Sequence, residues 1–86
     1  MAPNAPAPLV RRMFALFREG GVGRKEDRPK RLAVCGYVTW SRIESTDELS
    51  HRDISAIVNT LEYWRACEEI EYRCRRIADK SLEVTA

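Results

Sequence analysis

With 86 residues, 44% hydrophobic, 33% charged and a formal net charge of +2, the chain has room for one small domain and little capacity for a deep substrate cavity. No apolar run approaches the roughly 18 residues of a membrane span, and the opening MAPNAPAPLV lacks the basic start and apolar core of a secretory signal. Cysteines at 35, 67 and 74 are odd in number and have no CxxC spacing, which fits reduced thiols in a cytoplasmic protein better than a disulfide framework.

Pro3, Pro6 and Pro8 make residues 1–7 an extended, disordered lead-in. From Pro8, tolerated in an opening turn, LVRRMFALFRE predicts a first helix over about 8–19. Its stripe is Leu9 or Val10, Met13, Phe14 and Phe17, and Gly20 and Gly21 supply a left-handed stop over which Val22 can fold back. The polar run GRKEDRPKR leads into a second helix over about 28–38. Val34, Tyr37, Val38, Thr39 and Trp40 have strand propensity, but a lone strand would have no partner, so a helix with Leu32, Cys35 and Val38 or Thr39 inward is favoured.

STDELSHRDI then contains two capping boxes, Ser45 with Glu48 and Ser50 with Asp53. The second starts the main helix, with Leu49 and Ile54 as a hydrophobic staple and Ile57, Val58 and Leu61 continuing the stripe. The first makes a tight turn that delivers Leu49 to the same core. Beyond Leu61, EYWRACEEIEYRCRRIADK has neither glycine nor proline and predicts helix through about 79, with 80–86 frayed. Trp64, Cys67, Ile70, Cys74 and Ile77 step by three, three, four and three, a stripe that drifts around a single helix over 50–79. The expected architecture is all-α: one three-helix domain over 8–79 with a long C-terminal helix.

Catalytic and metal chemistry find little support. His51 falls in the first turn after a cap, an ordinary place for an exposed polar residue, and no Ser or Cys partner is placed by spacing. A zinc site from Cys35, His51, Cys67 and Cys74 matches no compact ligand spacing, GGVG lacks the sequel of a phosphate loop, and adjacent acids read as cap and surface residues. A non-enzymatic protein without cofactor or metal is expected.

Charge is the stronger hint. Residues 1–43 hold nine Lys or Arg against three acids, net +6, and residues 44–86 hold six against ten, net −4. Arg11, Arg12, Arg24, Lys25, Arg28, Lys30 and Arg31 are the candidate phosphate contacts, with Tyr37 and Trp40 near enough in sequence to stack on unpaired bases. Along the long helix, Trp64, Cys67, Ile70, Arg73 and Ile77 are candidates for docking a protein partner or a second copy.

The order RRMFALFREGGV, basic helical segment, SRIESTDELSHRDISAIVNTLE resembles a small helical module of bacteriophage proteins, found in the tails of single-strand annealing recombinases and in related accessory proteins. The stretch from Leu9 to Leu61 carries the resemblance, although Thr39-Trp40-Ser41 stands where that module has a glycine-containing turn. The resemblance implies the cytoplasm of a bacterial host and a binding role near DNA replication or recombination, with no catalytic residues. DNA binding through the basic half, as an accessory to replication or recombination, is therefore the first expectation, and regulation of a host or phage protein through the C-terminal helix the alternative.

Overall fold

The computed structural model describes residues 6–85, with side chains through Ser81. It is all-helical, with four helices among the described residues: α1 (Ala7–Glu19), α2 (Arg28–Thr39), α3 (His51–Ala66) and α4 (Ile70–Thr85). Short 3-10 turns at Lys25–Asp27 and Thr46–Glu48 introduce α2 and lead to α3. The run from Ala33 to Thr39 is helix, as the lack of a strand partner implied. Of the expected disordered lead-in, positions 1–5 lie outside the described residues, while Ala7 already belongs to α1. At the other end the helix runs on through Thr85 instead of fraying from 80, and Ala86 lies outside the described residues.

The single long C-terminal helix expected over 50–79 is two helices. Glu68 adopts φ 59°, and around it Glu69 N–H donates to the Trp64 carbonyl at 2.8 Å and Glu68 N–H to the Arg65 carbonyl at 3.0 Å. This is a Schellman stop, with a left-handed residue closing the last turn. The chain reverses there, so α4 packs back on α2 and does not project as a free arm. The drifting stripe is thereby resolved: Ile70 and Cys74 are re-aimed into the core, whereas Cys67, on the turn itself, is exposed.

α1 packs mainly on α3 and α2 mainly on α4, with a lesser α2–α3 contact joining the pairs. Met13, Leu16 and Phe17 meet Ile54, Ile57, Val58 and Leu61 in one continuous core with Val34, Cys35, Leu49 and Cys74. Truncating a fully buried member such as Leu61 to alanine removes about 2–5 kcal/mol, a large share of the stability of so small a domain.

The local stops and starts set the angles. Gly21, at φ 80°, ends α1; Val22 N–H donates to the Phe17 carbonyl at 3.0 Å and Gly21 N–H to the Arg18 carbonyl at 3.1 Å. Val22 is buried over the last turn. Both serine caps form. Ser50 Oγ accepts from Asp53 N–H at 3.1 Å while the Asp53 carboxylate accepts from Ser50 N–H at 3.1 Å. At the first corner Glu48 accepts from Ser45 N–H at 2.8 Å and Glu44 N–H at 2.9 Å, and Leu49 is delivered into the core. Each such cap contributes about 1 kcal/mol.

Candidate partner-binding face

α2 ends without glycine. Trp40 takes φ 58°, ψ 33°, its N–H donating to the Gly36 carbonyl, and Ser41 N–H reaches the same carbonyl at 3.2 Å. A Cβ on Gly36 would lie 2.7 Å from the Ser41 carbonyl oxygen, so the missing side chain is what lets the turn fold this tightly. Thr39 Oγ1 fastens the last turn by donating to the Cys35 carbonyl at 2.8 Å. The outward side of α2, carrying Pro29, Ala33, Gly36 and Tyr37 at helical spacing, is left partly uncovered by the core.

Where α2 meets α4, Ala33, Tyr37 and Ile77 line a mostly apolar groove of about 450 Å³ that also takes in Arg73, Arg76 and Lys80. Ala33 and Ile77 are half-buried and the three cations exposed, so the aliphatic groups form the floor and the charges one edge. A second depression along Pro29, Leu32, Gly36 and Ile43 joins the groove at Ala33. Tyr72, 60% exposed, lies beyond the cationic edge beside Arg75 and Arg76. The cations at 73, 76 and 80 recur at helical steps and cover about 10 Å of α4. Arg73 is held by Glu69 at 2.9 Å and Arg75 by Glu71 at 3.1 Å, whereas Arg76 and Lys80 make no ion pair among the described residues.

Of the five residues expected to bind a partner, Arg73 and Ile77 line this groove. Trp64, expected to be an interface anchor, is 7% exposed and sits in the core with its ring 6.4 Å from that of Tyr37. Ile70 is also core, and Cys67 lies apart on the α3–α4 turn. The reversal at Glu68 turns both large side chains inward. Tyr37, weighed only as a base-stacking residue, together with Arg76 and Lys80, completes the groove. No local motif marks them, because the groove exists only once α4 folds back.

The seven expected phosphate contacts are divided. Arg12 forms a two-pronged pair with Glu62, at 2.9 and 2.7 Å, across α1 and α3. That contact holds the Glu62 carboxyl below its ordinary pKa and raises the guanidinium's. Arg31 pins the α1–α2 connection, donating to the carbonyls of Val22 at 2.9 Å and Arg24 at 2.6 Å while its guanidinium lies 5.8 Å from the Phe14 ring centre. Arg28 donates to the Glu44 carbonyl at 3.2 Å, and Lys30 stands 3.7 Å from Asp27, which caps Arg24 N–H at 3.1 Å. Arg11, Arg24 and Lys25 keep side chains without a hydrogen bond or ion pair among the described residues. Arg12, Arg28 and Arg31 look like the other four in the sequence because the partners that engage them, Glu62 and the Glu44, Val22 and Arg24 carbonyls, are distant in sequence or invisible in it, whereas Asp27 is a neighbour of Lys30.

The His51 side chain is exposed at the start of α3, and among the described residues no group of His, Cys, Asp and Glu is placed to hold a metal ion. No described helix is long and apolar enough to cross a membrane. Comparison with protein-family models, with curated proteins and with solved structures yields no significant match.

Proposed function

We propose that the chain is a non-enzymatic interaction module that binds an acidic, amphipathic segment of another protein in the α2–α4 groove and so regulates that protein. The observation that carries this reading is the pairing of an aliphatic floor, Ala33 and Ile77, with an edge on which Arg76 and Lys80 have no carboxylate of their own among the described residues. A helix of about three turns would lay apolar side chains on that floor and carboxylates against the edge, the helix-in-groove mode of recognition. Apolar burial supplies affinity, and charge complementarity supplies register and selectivity.

The test is calorimetric titration with a synthetic amphipathic helical peptide bearing glutamates along one edge, beside a twin with lysines in their place. The acidic peptide binds, more weakly but still measurably at high salt, and Arg76→Glu with Lys80→Glu abolishes the complex. Equal binding of both peptides, or of neither, overturns the reading.

A second reading, DNA binding as an accessory to replication or recombination in a phage setting, is favoured by one feature. Arg18, Arg24 and Lys30 converge with Gly21 and Gly23 on a depression between α1 and α2, with Lys25 beside it on the connecting turn. Glu26 and Asp27 share the same depression and offset its charge. Titration of single- and double-stranded DNA at low salt tests it: affinity falling steeply with salt and lost with Arg24→Ala and Lys25→Ala supports it, and absence of binding excludes it.

A further inference from the structure

Trp40 is 94% exposed and stands in the left-handed region, two features the fold itself would be better without. An L-residue there is strained, and an indole left in water forgoes burial. Glycine would close α2 with less strain, and the contacts that fasten the turn do not use the indole: Gly36 leaves room for the Ser41 carbonyl, and Thr39 ties the last turn to Cys35. Trp40 follows Tyr37 by three residues, at the cap just past the end of α2; Ala33 and Tyr37 before it line the groove, and Ser41 and Ile43 after it line the adjoining depression. Tyr37 on α2, Trp40 at its cap and Tyr72 on α4 are three of the four large exposed aromatics among the described residues, the fourth being Tyr63 on α3.

We infer that Trp40 is the affinity anchor for the acidic amphipathic segment, whose apolar side covers the indole at the end of the groove. The inference rests on the reading of the groove given above. A rigid, protruding aromatic beside an aliphatic floor is the common form of an interface hot spot, because its burial on binding recovers what was left exposed in the free protein. The partner's segment therefore carries, beyond the turns that meet Arg73, Arg76 and Lys80, a small-residue gap or aliphatic cluster that receives the indole.

The experiment compares the full chain with Trp40→Gly by thermal unfolding and by titration with the acidic peptide, extended by an aliphatic turn. Relief of the left-handed strain raises the midpoint of Trp40→Gly by about 3–6 °C, while its affinity falls about 30-fold. In a Trp64→Phe background, which leaves Trp40 the sole tryptophan, peptide binding shifts indole emission to shorter wavelength and shields it from acrylamide. A lowered midpoint in Trp40→Gly would mean that the indole supports the fold and overturns the inference. Unchanged affinity in Trp40→Gly, with binding still abolished by Arg76→Glu and Lys80→Glu, would overturn the anchor alone and leave the groove reading standing. Absence of peptide binding by the unsubstituted chain would remove both. Sedimentation as a dimer that Trp40→Gly converts to monomer would show a second copy covering the indole, and would also overturn the inference.

Discussion

Replacing Glu68 with glycine distinguishes a reversed C-terminal hairpin from one long helix by the sign of a stability change. Glu68 is exposed, its carboxylate makes no hydrogen bond or ion pair among the described residues, and its φ of 59° is the left-handed value. That conformation costs an L-residue about 1–2 kcal/mol. Glycine removes the strain but has a freer unfolded chain, which takes back about 0.4–1 kcal/mol. The net gain is about 0.5–1 kcal/mol, and in a domain of this size it raises the unfolding midpoint by about 3–6 °C. Were residues 50–79 one helix, the same substitution would place glycine in a helix interior, lose about 0.5–1 kcal/mol and lower the midpoint by a similar amount. Thermal unfolding followed by circular dichroism at the helical minimum reads the difference directly. A lowered midpoint in Glu68→Gly would refute the turn and, with it, the packing of α4 on α2.

Gly36→Ala, ordinarily stabilising in a helix, destabilises here by about 1–3 kcal/mol because the new methyl meets the Ser41 carbonyl; an unchanged denaturant midpoint would show that the turn yields. Burial pushes the Cys35 thiol up to about 12 and the Cys74 thiol up to about 11, so both stay protonated at mild alkaline pH. A thiol-specific disulfide reagent therefore modifies Cys67 first in the native chain and all three cysteines only in denaturant, as peptide mapping would show; equally fast labelling of Cys35 would contradict the packing. The Glu62 carboxyl is held below its unfolded value by Arg12, so the pair's contribution to stability is complete above the ordinary glutamate pKa and fades as pH falls through the lowered one. The midpoint difference between the unsubstituted chain and Arg12→Gln accordingly closes on acidification, and a difference constant with pH would show that the pair does not form.

What was legible in the sequence is what local chemistry decides. Ser45 with Glu48, Ser50 with Asp53, and the Gly20-Gly21-Val22 stop each consist of hydrogen bonds within a few residues, and each forms. The break after α3 was not legible as a stop, because the residue that turns left-handed is a glutamate and no glycine or proline marks it. Nor did the apolar stripe single it out, since a period below 3.6 from Trp64 to Ile77 also suits one continuous, supercoiling helix. The cations of the first half were legible as charge but not as surface, since whether Arg12 or Arg31 faces outward depends on Glu62 and on the Val22 and Arg24 carbonyls. The groove follows from the reversal, and so could not be assembled before it.

Backbone amide chemical-shift mapping during titration with the acidic amphipathic helix tests the central proposal most directly. Docking in the groove predicts that the largest shifts cluster at Ala33, Tyr37, Arg76 and Ile77 and are lost with Arg76→Glu and Lys80→Glu. Shifts confined to Arg24 and Lys25, or absent throughout, would contradict it.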